Sequence, residues 1–182
     1  MIRGRKNEAI TCYQRALDIS VHLREPTTKA ALLVNQGIIY RRDNNLPQAS
    51  RRFLLAKQIL ESIPSMLAYE QLLLSKCYNE LSAISLESQD ATKALSFQME
   101  RLRLVEEHDT LKSEEFSVMI SLAELYLKNR LTDQFEHEIE KLRGLAKTEE
   151  ERVMVTALEK EWKEVDRSDQ DRTLKVEEGP RV

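Results

Sequence analysis

Glycine and proline are scarce, four of each in 182 residues, which leaves little material for long irregular loops. No run approaches the roughly 18 consecutive apolar residues of a membrane span, so no membrane partner is expected. The opening MIRGRKNEAI lacks the apolar centre of a signal peptide. The two cysteines, Cys12 and Cys77, stand far apart in helix-forming sequence. They read as reduced, partly buried thiols of a cytoplasmic protein, with the nucleus as the other compartment. The three histidines, His22, His108 and His137, fall in no metal-ligand spacing with each other or with the cysteines, and His137 between Glu136 and Glu138 makes no HExxH. There is no glycine-rich phosphate loop and no serine or cysteine nucleophile motif. No catalytic residue, metal site or cofactor is therefore expected, and the chain does not read as an enzyme. Paired acids such as Glu106-Glu107 and Glu149-Glu150-Glu151 read as helix surface and N-terminal charge.

What is abundant is helix former: Leu, Glu, Lys, Arg, Ala and Gln dominate. Apolar residues make up 41% and charged residues 32%, enough for a core beneath a well-solvated surface. The apolar residues recur every three or four positions, and no stretch alternates like a strand. This predicts helices over 6–23, 27–43, 47–63, 65–87, 90–107, 113–128, 132–145 and 148–165. Thr27-Thr28 is the expected N-cap of the second, Pro47 suits the first turn of the third, Gly144 is the expected terminator of the seventh, and Thr148 with Glu151 has capping-box spacing. Residues 166–182 carry few apolar residues and read as a disordered tail. Charge is uneven: residues 1–60 hold 11 Lys/Arg against 4 Asp/Glu, and residues 61–182 hold 17 against 27. That favours partners with matching patches or head-to-tail self-contact.

One stretch departs from the composition. LVNQGIIYRRDNNLPQASRRFLLA (33–56) places a glycine inside a helix, at about 1 kcal/mol relative to alanine. Gly37, Tyr40, Ala49, Phe53 and Ala56 follow one another at steps of 3, 9, 4 and 3. Two antiparallel helices approach closely only where a side chain is small, so Gly37 and Ala49 suit a helix crossing, with Tyr40 and Phe53 filling the spaces beside it. This pattern resembles the tetratricopeptide repeat, with Leu33 in place of the usual tryptophan. Looser copies follow the same spacing. Ala9, Tyr13 and Ala16 resemble a second repeat helix. Ala94, Gln98 and Arg101 resemble another, with Ser82 at the glycine position. Ala123, Tyr126 and Phe135 resemble a third. The markers Ala9, Ala49, Ala94 and Phe135 lie 40, 45 and 41 apart, longer than the family's about 34 residues, which implies lengthened helices.

The resemblance implies an all-α fold, a right-handed superhelical stack of antiparallel helix pairs (an α-solenoid). The organisation would be a half repeat at 1–25, repeats at 26–64, 65–107 and 108–146, a capping helix at 147–165 with an apolar stripe of Val153, Val155, Leu158 and Trp162, and the tail at 166–182. The chain opens inside a repeat with its first helix absent. It is thus expected to be the C-terminal part of a longer array, or to self-associate through an uncapped N-terminus.

In this family the first helix of each repeat lines a concave groove for an extended or helical peptide. The resemblance therefore places Val34, Asn35, Ile38, Arg41 and Arg42 in the groove, then Lys76, Asn79, Glu80 and Ala83, then Ile120, Glu124 and Lys128. Members that grip a C-terminal carboxylate use Lys, Asn and Arg on successive first helices. Asn35 and Lys76 match two of those positions, but Glu80 stands where arginine should be, so that activity is not expected. An Arg pair, an Asn and apolar spots suit an acidic–hydrophobic peptide. Arg41-Arg42 and Arg51-Arg52 flank one turn, as a basic patch or as solvated helix ends. The acidic net charge and the lack of aromatic interleaving argue against nucleic acid. The expected function is a non-catalytic protein–protein interaction scaffold. The alternative is a regulatory receptor in which such repeats sense a small signal peptide and control an effector domain or partner.

Overall fold

Three turns share one hydrogen-bond pattern and reverse the chain each time. In the computed structural model, which describes residues 8, 11–13, 15, 16, 18, 19 and 25–177, helix α1 spans Pro26–Arg42, α2 Leu46–Glu61, α3 Ala68–Glu87 and α4 Ala91–Glu107. A 3₁₀ helix at Asp109–Glu114 then leads into α5 (Glu115–Lys128), α6 (Thr132–Leu145) and α7 (Glu149–Glu177). After α1, Asn44 N–H donates to the Arg41 carbonyl and Asn45 N–H to that of Tyr40, both at 2.9 Å. After α3, Gln89 donates to Leu86 and Asp90 to Ser85. After α5, Arg130 donates to Leu127 and Leu131 to Tyr126. Each is a Schellman closure. The residue at its left-handed position is Asn44, Gln89 or Arg130, with φ of 56°, 61° and 56°; none is the glycine that such a position favours. In the first two turns the residue after it caps the next helix. Asn45 Oδ1 accepts from Gln48 N–H at 3.3 Å, and Asp90 Oδ1 from Lys93 N–H at 3.0 Å, each an N-cap.

The expected all-α class holds: no described residue lies in a strand. Several boundaries differ. Helix α1 begins at Pro26, where a proline's missing N–H is harmless, and Thr27 and Thr28 instead donate to Glu70 and Glu25. Helix α3 begins at Ala68, not 65. Gly144 does not end α6, which runs on to Leu145 with right-handed backbone throughout. The Thr148 box forms: Thr148 Oγ1 accepts from Glu151 N–H at 3.1 Å, and Glu151 Oε2 from Thr148 N–H at 2.9 Å. Residues 166–177, expected without structure, continue α7. That stretch has no glycine or proline to stop it, and residues 178–182 lie outside the described part. Of the expected helix over 6–23, the described residues 8, 11–13, 15, 16, 18 and 19 are helical. Cys12 is exposed and Cys77 fully buried.

The chain divides into two compact units, residues 1–115 and 116–182, with the 3₁₀ helix in the first. Leu111 is fully buried and Glu114 is ion-paired to Arg101 at 2.7 Å, which ties the segment to α3 and α4.

In the first unit α1 packs on α2, α2 on α3, and α3 on α4, while α3 also touches α1. At the α1–α2 crossing Gly37 faces the Phe53 ring so closely that an added Cβ would lie 2.8 Å from it. Phe53, Ala49 and Ala56 have no exposed surface. Helices α3 and α4 run antiparallel in the register 45 residues on. Ser82 Oγ donates to the Ala94 carbonyl at 2.9 Å, Gln98 Nε2 to Asn79 Oδ1 at 3.3 Å, and Arg101 Nε to Ser75 Oγ at 3.0 Å. Where the first crossing is filled by an aromatic ring, the second is filled by polar groups.

In the second unit Phe135 occupies the small-residue position and is buried. Its ring centroid lies 5.1 Å from that of Trp162, so α7 covers α6. Val155 and Leu158 are buried with it, but Val153 is 60% exposed and leaves the expected stripe.

Candidate functional site

Helices α1 and α3 lie side by side and parallel, held at both ends. Near their N-termini Thr27 Oγ1 donates to Glu70 Oε1 at 2.6 Å, and the other Glu70 oxygen accepts from Leu67 N–H at 2.7 Å. The Thr27 hydroxyl, ahead of that backbone bond, holds the Glu70 carboxyl below the usual carboxylate range. Near their C-termini Arg41 pairs with Glu80 and, at 3.1 Å, with Glu87. Partial burial works against the Arg41 charge, but Glu80 and then Glu87 outweigh it and raise the guanidinium pKa.

Between these ties Ile38, Arg41, Arg42, Lys76 and Glu80 line one open depression of about 450 Å³. Five of the twelve residues expected in a groove thus come together. Asn35 lies exposed on α1, one turn before Ile38. Two others on these two helices do not face outward. Val34 is 1% exposed, because it falls on the apolar side of α1 with Leu33. Asn79 turns toward α4, where its Oδ1 accepts from Arg101 Nη1 at 2.9 Å. Glu124 is exposed on α5 in the second unit. Lys128 is likewise exposed there, while Ile120 is buried.

The electrostatics differ from a bare arginine pair. Arg41 and Glu80 neutralise each other, so Arg41 is committed to the fold and Glu80 no longer presents an uncompensated charge. Arg42 and Lys76 are exposed and have no ion-pair partner among the described residues. They leave the depression cationic. Sequence reasoning passed over Tyr69 and Leu72, which are 55% and 46% exposed and share the Lys76 face of α3. Extending the 3–4 spacing of Lys76, Glu80 and Ala83 back by two turns reaches them.

Burial pushes the Cys77 thiol up to about 12, so it stays protonated at neutral pH. His108 Nδ1 lies 3.1 Å from Gln71 Nε2, and His137 is exposed on α6; His22 lies outside the described residues. No three His, Cys, Asp or Glu side chains converge among the described residues, and no described helix is long and apolar enough to cross a membrane.

No protein-family model matches the chain, and no curated protein does. Among solved structures it is similar to the crystal structure of BtubC (BKLC) from P. vanneervenii, with a TM-score of 0.70, 18% identity, and coverage of 99% of this chain and 78% of that one. At that identity the likeness is one of fold.

Proposed function

We propose that this protein is a non-catalytic interaction scaffold. Its helix pairs stack as a right-handed superhelical array of the tetratricopeptide kind, and the face formed by α1 and α3 holds a peptide or partner helix. Two features support the stack: α3 touches both members of the preceding pair, and the same turn recurs at 44, 89 and 130. The observation that carries the binding role is the α1–α3 depression, whose Arg42 and Lys76, without an ion-pair partner among the described residues, stand beside Ile38 and suit an acidic–hydrophobic segment.

Affinity capture from cell extract tests this reading with the wild type and an Arg42→Glu/Lys76→Glu variant. Both side chains are exposed, so the variant keeps its circular dichroism and melting temperature. Proteins retained by the wild type are expected to bind the variant about tenfold more weakly or worse, because like charges now face their acidic groups, and wild-type retention falls as salt rises. Equal retention by both proteins contradicts the proposal. Arg41 is the wrong residue for this test, since reversing it sets three carboxylates against one another.

A further inference from the structure

We infer that the N-terminal turns of α3 extend this depression into a two-part peptide site. Tyr69 and Leu72 form a shelf for one large apolar side chain, and Lys76 with Arg42 takes a carboxylate beside it. The inference rests on the groove reading above and names what the groove accepts.

Helix geometry places the two parts. At about 100° per residue, positions 69, 72, 76, 80 and 83 fall within an arc of about 80°, so they form one stripe along α3. With a rise of about 1.5 Å per residue, Leu72 precedes Lys76 by about 6 Å and Tyr69 precedes it by about 10 Å. An extended peptide advances about 3.3 Å per residue and returns to the same face every second residue. Its apolar side chain on the shelf and its acid at Lys76 are then two residues apart, in the order apolar–any–acidic or its reverse.

Exposed apolar residues scattered singly mean little. These two share a face with a lysine that has no counterion among the described residues, next to a depression where Arg42 is also without one there. The exposed apolar area and the unbalanced positive charge therefore lie together, which is the complement of an acidic–hydrophobic segment. A depression of about 450 Å³ admits a few side chains of an extended chain.

The test pans a phage-displayed library of random dodecapeptides against the whole chain. Enriched peptides are then synthesised, labelled and titrated by fluorescence anisotropy. Expected are peptides with a large apolar residue two positions from Asp or Glu, bound about tenfold more weakly or worse by Tyr69→Ser/Leu72→Ser and by Lys76→Glu. Peptides that depend on Arg42 and Lys76 but are indifferent to Tyr69→Ser/Leu72→Ser overturn the shelf and leave the groove standing. A library yielding no peptide sensitive to Arg42→Glu/Lys76→Glu overturns both. Sedimentation with phosphatidylserine vesicles, or dimerisation on concentration, overturns the peptide occupant if Tyr69→Ser/Leu72→Ser abolishes it, because the shelf then serves a lipid surface or a second copy.

Discussion

Replacing Arg101 with alanine should lower the stability of the first unit by about 3 kcal/mol, a fall in melting temperature on the order of 10 °C. Arg101 is 9% exposed and spends its guanidinium on three partners: Ser75 Oγ, Asn79 Oδ1 and Glu114 Oε2, at 3.0, 2.9 and 2.7 Å. Ser75 Oγ also donates to Glu114 at 2.6 Å. Removing the cation takes the Arg101 charge away from a part-buried carboxylate, strips Ser75 Oγ of its donor and leaves Asn79 Oδ1 only the longer bond from Gln98. The low end of the range for a broken buried pair applies, since the Glu114 side chain is 26% exposed and keeps some solvation. An Arg101→Met/Glu114→Leu variant should recover most of the loss, because neither charge is then stranded. Urea unfolding followed by far-ultraviolet circular dichroism measures both variants. A change below about 1 kcal/mol in Arg101→Ala would show that the network is a surface feature.

The second large effect lies at the other crossing. Phe53→Ala should cost about 3–5 kcal/mol, because the ring is fully buried and fills the hollow that Gly37 leaves. Thermal and urea unfolding check it, and a loss under about 1 kcal/mol would mean that the crossing closes without the ring.

The two crossings were not equally visible beforehand. Gly37, Ala49 and Phe53 could be found from sequence because close approach of two helices demands a small residue, and few residue types satisfy that demand. The second crossing hid in plain view. Gln98 and Arg101 occupy the places of Phe53 and Ala56, and polar residues there look like a lapse of the pattern. Their partners Ser75, Asn79 and Glu114 lie 13 to 26 residues from Arg101 along the chain, and Glu114 sits in a 3₁₀ turn that periodicity merges with α5. A side chain's orientation at the edge of a helix face is equally hidden. Val34 and Asn79 each border the groove-facing arc, and packing, not spacing, turned both inward. The counterions of Arg41 could not be read either, since Glu80 and Glu87 come from another helix. The turns themselves fell in the gaps between the expected helices, but the lack of glycine at 44, 89 and 130 concealed their left-handed closure, although Asn44 is a residue type that tolerates that conformation.

Gly37→Ala measured in two backgrounds tests the tight helix crossing most directly. In the wild type the new methyl meets the confined Phe53 ring, an overpacking cost of about 1–3 kcal/mol set against about 1 kcal/mol of regained helix propensity, so the substitution should destabilise or at best be neutral. In Phe53→Leu protein the flat ring is gone, and the same substitution should stabilise by up to about 1 kcal/mol. A Gly37→Ala change that stabilises both backgrounds equally would contradict the close packing of α1 against α2, and the stacked-pair account with it.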